Sequence, residues 1–180
     1  EEKSMHYFHE SMSLCSKRDT SCIAKNLRGI ARAYSMKKEY KKAISIIRQV
    51  HELYFNTKDT LGLVKVSNLL GIIYNNLNKS DSAKLIYKEA LDLANFIGND
   101  LLIAQLLNNI GEVYLNQSKY EVANKYYLAA LDKAESSQHL YGISLCKMNL
   151  ALIKIQTHKY KEADNLLNES LEINIANGYV

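Results

Sequence analysis

Residues 107–130 read LNNIGEVYLNQSKYEVANKYYLAA, two stretches with apolar residues at helical spacing on either side of the polar break Gln117-Ser118-Lys119. The pattern predicts a helical hairpin, and it recurs. Ala43, Ala83, Ala123 and Ala163 stand forty residues apart, and the same step links Tyr34, Tyr74 and Tyr114, with Lys154 in the fourth slot. Small residues keep the register at Ala31, Gly71, Gly111 and Ala151, as do aliphatic ones at Ile30, Leu70, Ile110 and Leu150. Tyr40, Tyr120 and Tyr160 match too, with Ser80 as the exception. Agreement of several columns at one spacing marks a repeat architecture.

Turn-forming clusters divide each unit in two. The spacing predicts helix A near 21–36, 60–77, 100–116 and 140–156, and helix B near 40–55, 81–96, 120–136 and 160–176. The units run over 21–59, 60–99, 100–139 and 140–178 of one array, with a half repeat over 1–20 that carries Tyr7 in a helix B slot. Asp59, Asp81 and Asp100 fall where a cap or first-turn carboxylate faces the positive helix end. Gly or Ala is needed where two helices cross closely, and a tyrosine fills the space beside helix A. One hairpin cannot bury its apolar face alone, so each must stack on the next.

Composition agrees with an all-helical chain. Its 180 residues include no Pro, no Trp and seven Gly, and 47% are hydrophobic, so few breakers interrupt good helix formers. A net charge of +4 is too small and dispersed for a phosphate-backbone binder, so nucleic acid is not an expected partner. No run of eighteen apolar residues occurs, and no membrane insertion by this segment is expected. Cys15, Cys22 and Cys146 show no zinc-type pairing and read as buried reduced thiols. Cys15 and Cys22 are near enough in sequence to meet across a turn, but sequence does not supply the geometry. No compartment follows from them, and cytoplasmic and extracytoplasmic placements stay open.

The columns resemble the tetratricopeptide repeat family. Unit three fits best, through Leu107, Ile110-Gly111, Tyr114, Tyr120, Ala123, Tyr127 and Ala130; unit two follows with Leu70-Gly71, Tyr74, Ala83, Tyr87 and Ala90. The resemblance implies an all-α fold, a right-handed α-solenoid of antiparallel helix pairs. The period of forty exceeds the family's common ~34, which suggests longer helices, as in the long-repeat subclass. The family's frequent closing Pro is absent. Lys147 and Lys154 share a face of the fourth helix A, so the last unit is expected to pack less regularly. Both ends are expected to be cut from a longer array, because solenoids need polar caps and Leu171, Ile173 and Ile175 lie on a final helix B.

The resemblance further implies a ligand, protein or peptide, lying along a concave wall of helix A positions. Those slots are Lys25, Arg28, Arg32 and Ser35; Lys65, Asn68, Ile72 and Asn75; Gln105, Asn108, Glu112 and Leu115; and Leu145, Met148, Leu152 and Ile155. The asparagines Asn68, Asn108, Asn109 and Asn149 suit the backbone of an extended peptide, since an amide both donates and accepts; solvated or interhelical amides are the plainer alternative. Lys25, Arg28 and Arg32 suit an acidic group or form a solvated face. Leu145, Met148, Leu152 and Ile155 make a second apolar stripe on a helix that already has a core face. A missing repeat, a second copy through exposed end helices, or a ligand helix would cover it.

Catalysis is not expected. His6 and His9 lack further ligands at metal spacing, no phosphate-loop, nucleophile-elbow or zinc-protease motif is present, and no cofactor is implied. The leading expectation is a protein- or peptide-binding scaffold. The alternative is a sensory or regulatory domain of a larger signalling or transcription-regulating protein.

Overall fold

The computed structural model describes residues 10–11, 15 and 19–179. The expected half repeat at 1–20, with Tyr7, His6 and His9, lies almost wholly outside them. Among the described residues the chain forms eight long helices of 17 residues each: α1 (Thr20–Met36), α2 (Tyr40–Asn56), α3 (Thr60–Asn76), α4 (Ser80–Phe96), α5 (Asp100–Asn116), α6 (Tyr120–Ser136), α7 (Leu140–Gln156) and α8 (Tyr160–Ala176). Each lies within a residue of its expected bounds, and no described residue is in a strand.

Every joint is built alike. The residue two past each helix has positive φ: Lys38, Lys58, Asn78, Gly98, Ser118, Gln138, His158 and Gly178. The next amide reaches back five residues, as in Glu39 N to Tyr34 O at 2.9 Å and Lys119 N to Tyr114 O at 2.9 Å. These are Schellman closures, which satisfy carbonyls that a helix end leaves free. Six of the eight left-handed positions are held by residues other than glycine, at a conformational cost.

Capping separates helix A from helix B. Before each helix A a side chain accepts from the third amide: Asp19 from Cys22 at 2.9 Å, Asp59 from Gly62 at 2.8 Å, Asn99 from Leu102 at 3.0 Å and His139 from Gly142 at 3.0 Å. Before α2, α6 and α8 stand Glu39, Lys119 and Lys159, without a side-chain cap. There the first turn carries an acid instead in α6 and α8, Glu121 and Glu162. Asp59 is therefore a cap, whereas Asp81 and Asp100 are first-turn carboxylates, paired with Lys84 at 2.8 Å and Lys133 at 3.0 Å.

Two compact units divide within α4, one ending at Ile86 and the other beginning at Tyr87. In the first, α1, α2 and α3 close on a core of Ala24, Ala31, Ala43, Ile47, Val50, Tyr54, Val66, Leu69 and Ile73. In the second, Ala123 and Tyr127 of α6 pack on Leu150 and Ile153 of α7. The small columns are buried throughout: Ala31, Ala43, Ala83, Ala123 and Ala151 expose 0% and Ala163 2%. The reason is plainest at Gly111, where a Cβ would stand 2.7 Å from Tyr127 Cε1.

One expectation changes: Cys15 and Cys22 form a disulfide rather than reduced thiols, with their Cα atoms 5.9 Å apart, within bridging range. Cys146 is free and buried, as expected. The fourth hairpin keeps the helix lengths of the others and pairs its lysines within itself, but α8 buries only Ala163 and Ser170 where α2 and α6 bury four residues each. Lys154 bonds Glu162 at 2.6 Å and Lys147 bonds Glu169, both on α8. The Lys147 and Lys154 side chains expose only 18% and 24%, so their stems lie against the protein while the ammonium groups pair.

Candidate functional site

The helix A faces carry the candidate residues, and each unit has its own pair of such helices. In the first unit these are α1 and α3. Lys25 and Arg32 are exposed, and Arg28 is half-buried, its Nε without a hydrogen-bond partner among the described residues. Lys65 and Asn68 are half-buried, and Asn75 is buried in the last turn of α3. Lys25, Arg28 and Arg32 lie three and four residues apart, which puts their heads on one face of α1.

In the second unit the corresponding helices are α5 and α7. Gln105 and Glu112 are exposed, Asn109 and Asn149 half-buried, and Asn108 buried. Asn149 Nδ2 donates to Asn108 Oδ1 at 2.8 Å, tying α7 to α5 through their amides. The Cys146 thiol lies 4.0 Å from the same oxygen. Of the alternatives open in the sequence, the interhelical one describes this pair. One N–H of Asn149 is committed to Asn108, and its remaining donor and its carbonyl are what it can offer elsewhere. Beside it Met148 and Leu152 expose 42% and 45% of their surfaces, and Ile155 follows on the same side of α7.

Glu112 is the one acid on this face of α5, four residues after Asn108. Its side chain meets solvent, yet the protein around it withdraws enough water to push its carboxyl above the usual glutamate value. Burial raises the phenols of Tyr87 and Tyr127, and the Glu112 charge raises them further. Burial likewise pushes the Cys146 thiol up to about 11, which keeps it protonated and unreactive at neutral pH. The Tyr127 hydroxyl is buried without a hydrogen-bond partner among the described residues.

The sequence singled out Asn108, Asn149 and Glu112 separately and missed what joins them. Tyr127 and Cys146, which complete the cluster, read as packing residues. The only signal was positional: Asn149 lies forty-one residues after Asn108, one beyond the repeat step, and so sits diagonally across from it on the next helix A.

Among the described residues no group of three or more His, Cys, Asp or Glu is placed to hold a metal, and no helix is long and apolar enough to cross a membrane. The geometry offers amides, one exposed carboxylate and exposed aliphatic side chains, the equipment of a binding surface.

Comparison with known proteins agrees on the fold. The profile described as tetratricopeptide repeat matches residues 102–176, and a second of the same description matches 64–96. No curated protein matches in sequence. Aspartyl phosphate phosphatase F from Bacillus subtilis superposes with a TM-score of 0.83 at 20% identity, over 98% of this chain and 46% of that one. NprR, solved in complex with its cognate peptide NprX, gives 0.79 at 22% identity, over 93% of this chain and 49% of that one. BtubC from P. vanneervenii gives 0.75 at 17% identity, over 98% and 74%. The chain thus spans about half the length of the first two. With forty-residue helical hairpins in both units, and matched segments that together take in more than half of its length, the chain belongs to the tetratricopeptide repeat family.

Proposed function

We propose that this chain is a protein- or peptide-binding scaffold that holds its ligand on the exposed helix A faces. The observation that carries this reading is on α7, a helix with Leu150 and Ile153 in the core that still exposes Met148, Leu152 and Ile155 on another side. Apolar side chains beside amides suit an extended segment: the amides hold its backbone and the apolar strip takes its side chains. In the first unit Lys25, Arg28 and Arg32 supply positive charge for an acidic group, with Lys65 and Asn68 on α3 and Asn75 buried beneath the surface. In the second, Gln105, Asn109, Glu112, Met148, Asn149 and Leu152 make up the binding face, and the buried Asn108 positions Asn149 from behind it.

A regulatory role within a longer protein is the second reading. It is favoured by the similarity to about half of NprR, whose structure holds its cognate peptide, and to about half of an aspartyl phosphate phosphatase. Neither reading assigns this segment a catalytic step, a cofactor or nucleic acid.

The test is selection of a random peptide library on the immobilised chain. Enriched sequences should bind in solution, and Met148→Asp with Leu152→Asp should weaken them by about tenfold or more while far-UV circular dichroism stays helical. Failure to enrich any sequence, or binding indifferent both to this pair and to Lys25→Glu with Arg32→Glu, refutes the proposal.

A further inference from the structure

The packing columns thin out where α2 meets α3, and a cavity of about 230 Å³ stands there, lined by Ile47, Arg48, His51 and Glu52 of α2 and by Val66, Ser67 and Leu70 of α3. The chain's own repeats explain the space. Forty and eighty residues on, Ile47 is matched by Tyr87 and Tyr127, His51 by Leu91 and Leu131, and Ser67 by Leu107 and Lys147. An aromatic ring, a leucine and a long stem are therefore replaced by a shorter aliphatic group, an exposed imidazole and a hydroxymethyl. In the second unit the Tyr127 ring is fully buried against Leu150 and Ile153. Ile47 is just as buried but cannot reach as far, and the floor it makes with Val66 and Leu70 stays open.

We propose that this cavity binds a free amino acid with a large apolar side chain. Size points to that class. A cavity of roughly 150 Å³ accommodates benzene, so this one takes a ring or branched chain with a few atoms to spare, and it falls below the ~300 Å³ at which drug-sized ligands begin. The floor is apolar and replaces water at the ligand's side chain.

The rim carries the second argument. Arg48 and Glu52 are exposed one turn apart on α2, and neither forms an ion pair with another described residue. At that spacing their Cβ atoms are about 5–6 Å apart. They offer a cation to a carboxylate and an anion to an ammonium, two charges that a free amino acid carries on a single carbon. His51 and Ser67 add hydrogen-bonding groups at the same mouth. An internal side chain of a partner peptide would bring the apolar group without either charge and leave the rim pair idle.

The test is titration of the isotopically labelled chain with L-phenylalanine and, separately, with L-leucine at millimolar concentration, followed by amide NMR shifts. Saturable shifts confined to residues 47–52 and 66–70 are expected. N-acetyl-phenylalanine amide, which lacks both charges, should bind about tenfold more weakly, as should L-phenylalanine to Arg48→Gln and to Glu52→Gln. Ser67→Leu restores a side chain of the column, so it should abolish binding with an unchanged or higher melting temperature. No saturable shift, or equal binding by Ser67→Leu, overturns the proposal. Equal binding of the capped analogue also overturns it and identifies the cavity as an anchor for a peptide side chain.

Discussion

Gly111→Ala sets two well-characterised effects against each other. Inside a helix, alanine is favoured over glycine by about 0.8–1.0 kcal/mol, and Gly111 lies in the interior of α5. Propensity alone makes the substitution stabilising. The structure gives the opposite sign, because the new Cβ would stand 2.7 Å from Tyr127 Cε1 and 2.8 Å from Cδ1, against a normal carbon contact of about 3.5–4.0 Å. About 1 Å of movement is needed. The ring cannot swing into solvent, since Tyr127 exposes 0% and packs on Ala123, Leu150 and Ile153. Overpacking of this kind costs about 1–3 kcal/mol, and a rigid neighbour places it near the upper end. The expected net loss is about 2 kcal/mol, a fall of roughly 4–8 °C in melting temperature for a chain of this size. Thermal and urea unfolding followed by circular dichroism measure it. In a Tyr127→Leu background the obstacle is gone, and Gly111→Ala should be neutral or stabilising by up to about 1 kcal/mol. Stabilisation in both backgrounds would refute the close approach of α5 and α6 at this point.

Three further outcomes are expected. Replacing Lys58 or Gln138 by glycine relieves a left-handed conformation and should raise stability by about 0.5–1 kcal/mol each, whereas Gly98→Ala should lower it by about 1 kcal/mol; unfolding midpoints decide. The folded chain raises the Glu112 carboxyl, so its protonated form contributes stability that is complete below the unfolded value and is lost as pH rises through the folded one. Glu112→Gln should therefore raise the melting temperature at neutral pH, with the gain shrinking toward about pH 4; a gain independent of pH contradicts the assignment. In the α7 cap His139 Nδ1 accepts from the Gly142 N–H, so His139→Ala should cost about 1 kcal/mol and His139→Asp should stabilise by about 0.5–1 kcal/mol. An unchanged unfolding midpoint in His139→Ala would show that the bond is not holding the helix end.

The sequence made the hairpins legible because each column has one local physical cause. Gly111 and Ala123 are small where helices touch, and the clusters at 37–39 and 117–119 interrupt the apolar spacing. The left-handed joints were harder to see. Lys38, Lys58, Ser118 and Gln138 carry no glycine signal, and only the Schellman bonds disclose them. The candidate site was legible as a set of positions and not as a set of relations. Asn108 and Asn149 were each identified, but a bond between them depends on how α7 is laid beside α5. The shift at Glu112 depends on protein that the local sequence does not name. The disulfide needed a distance in space that a separation of seven residues does not supply, and the thinning at Ile47, His51 and Ser67 stood in the columns as exceptions whose joint effect is volumetric.

The identical joints restrict how this chain can vary in length. One residue inserted inside a helix turns everything after it by about 100° around the axis, which would carry Ala83 or Ala123 away from its crossing point. Twenty residues gained or lost would exchange the capped and uncapped helix starts, setting Asp59 or Asn99 before the wrong kind of helix. Forty residues is the smallest change that keeps both phase and polarity, so relatives built on the same joints should differ in size by whole hairpins.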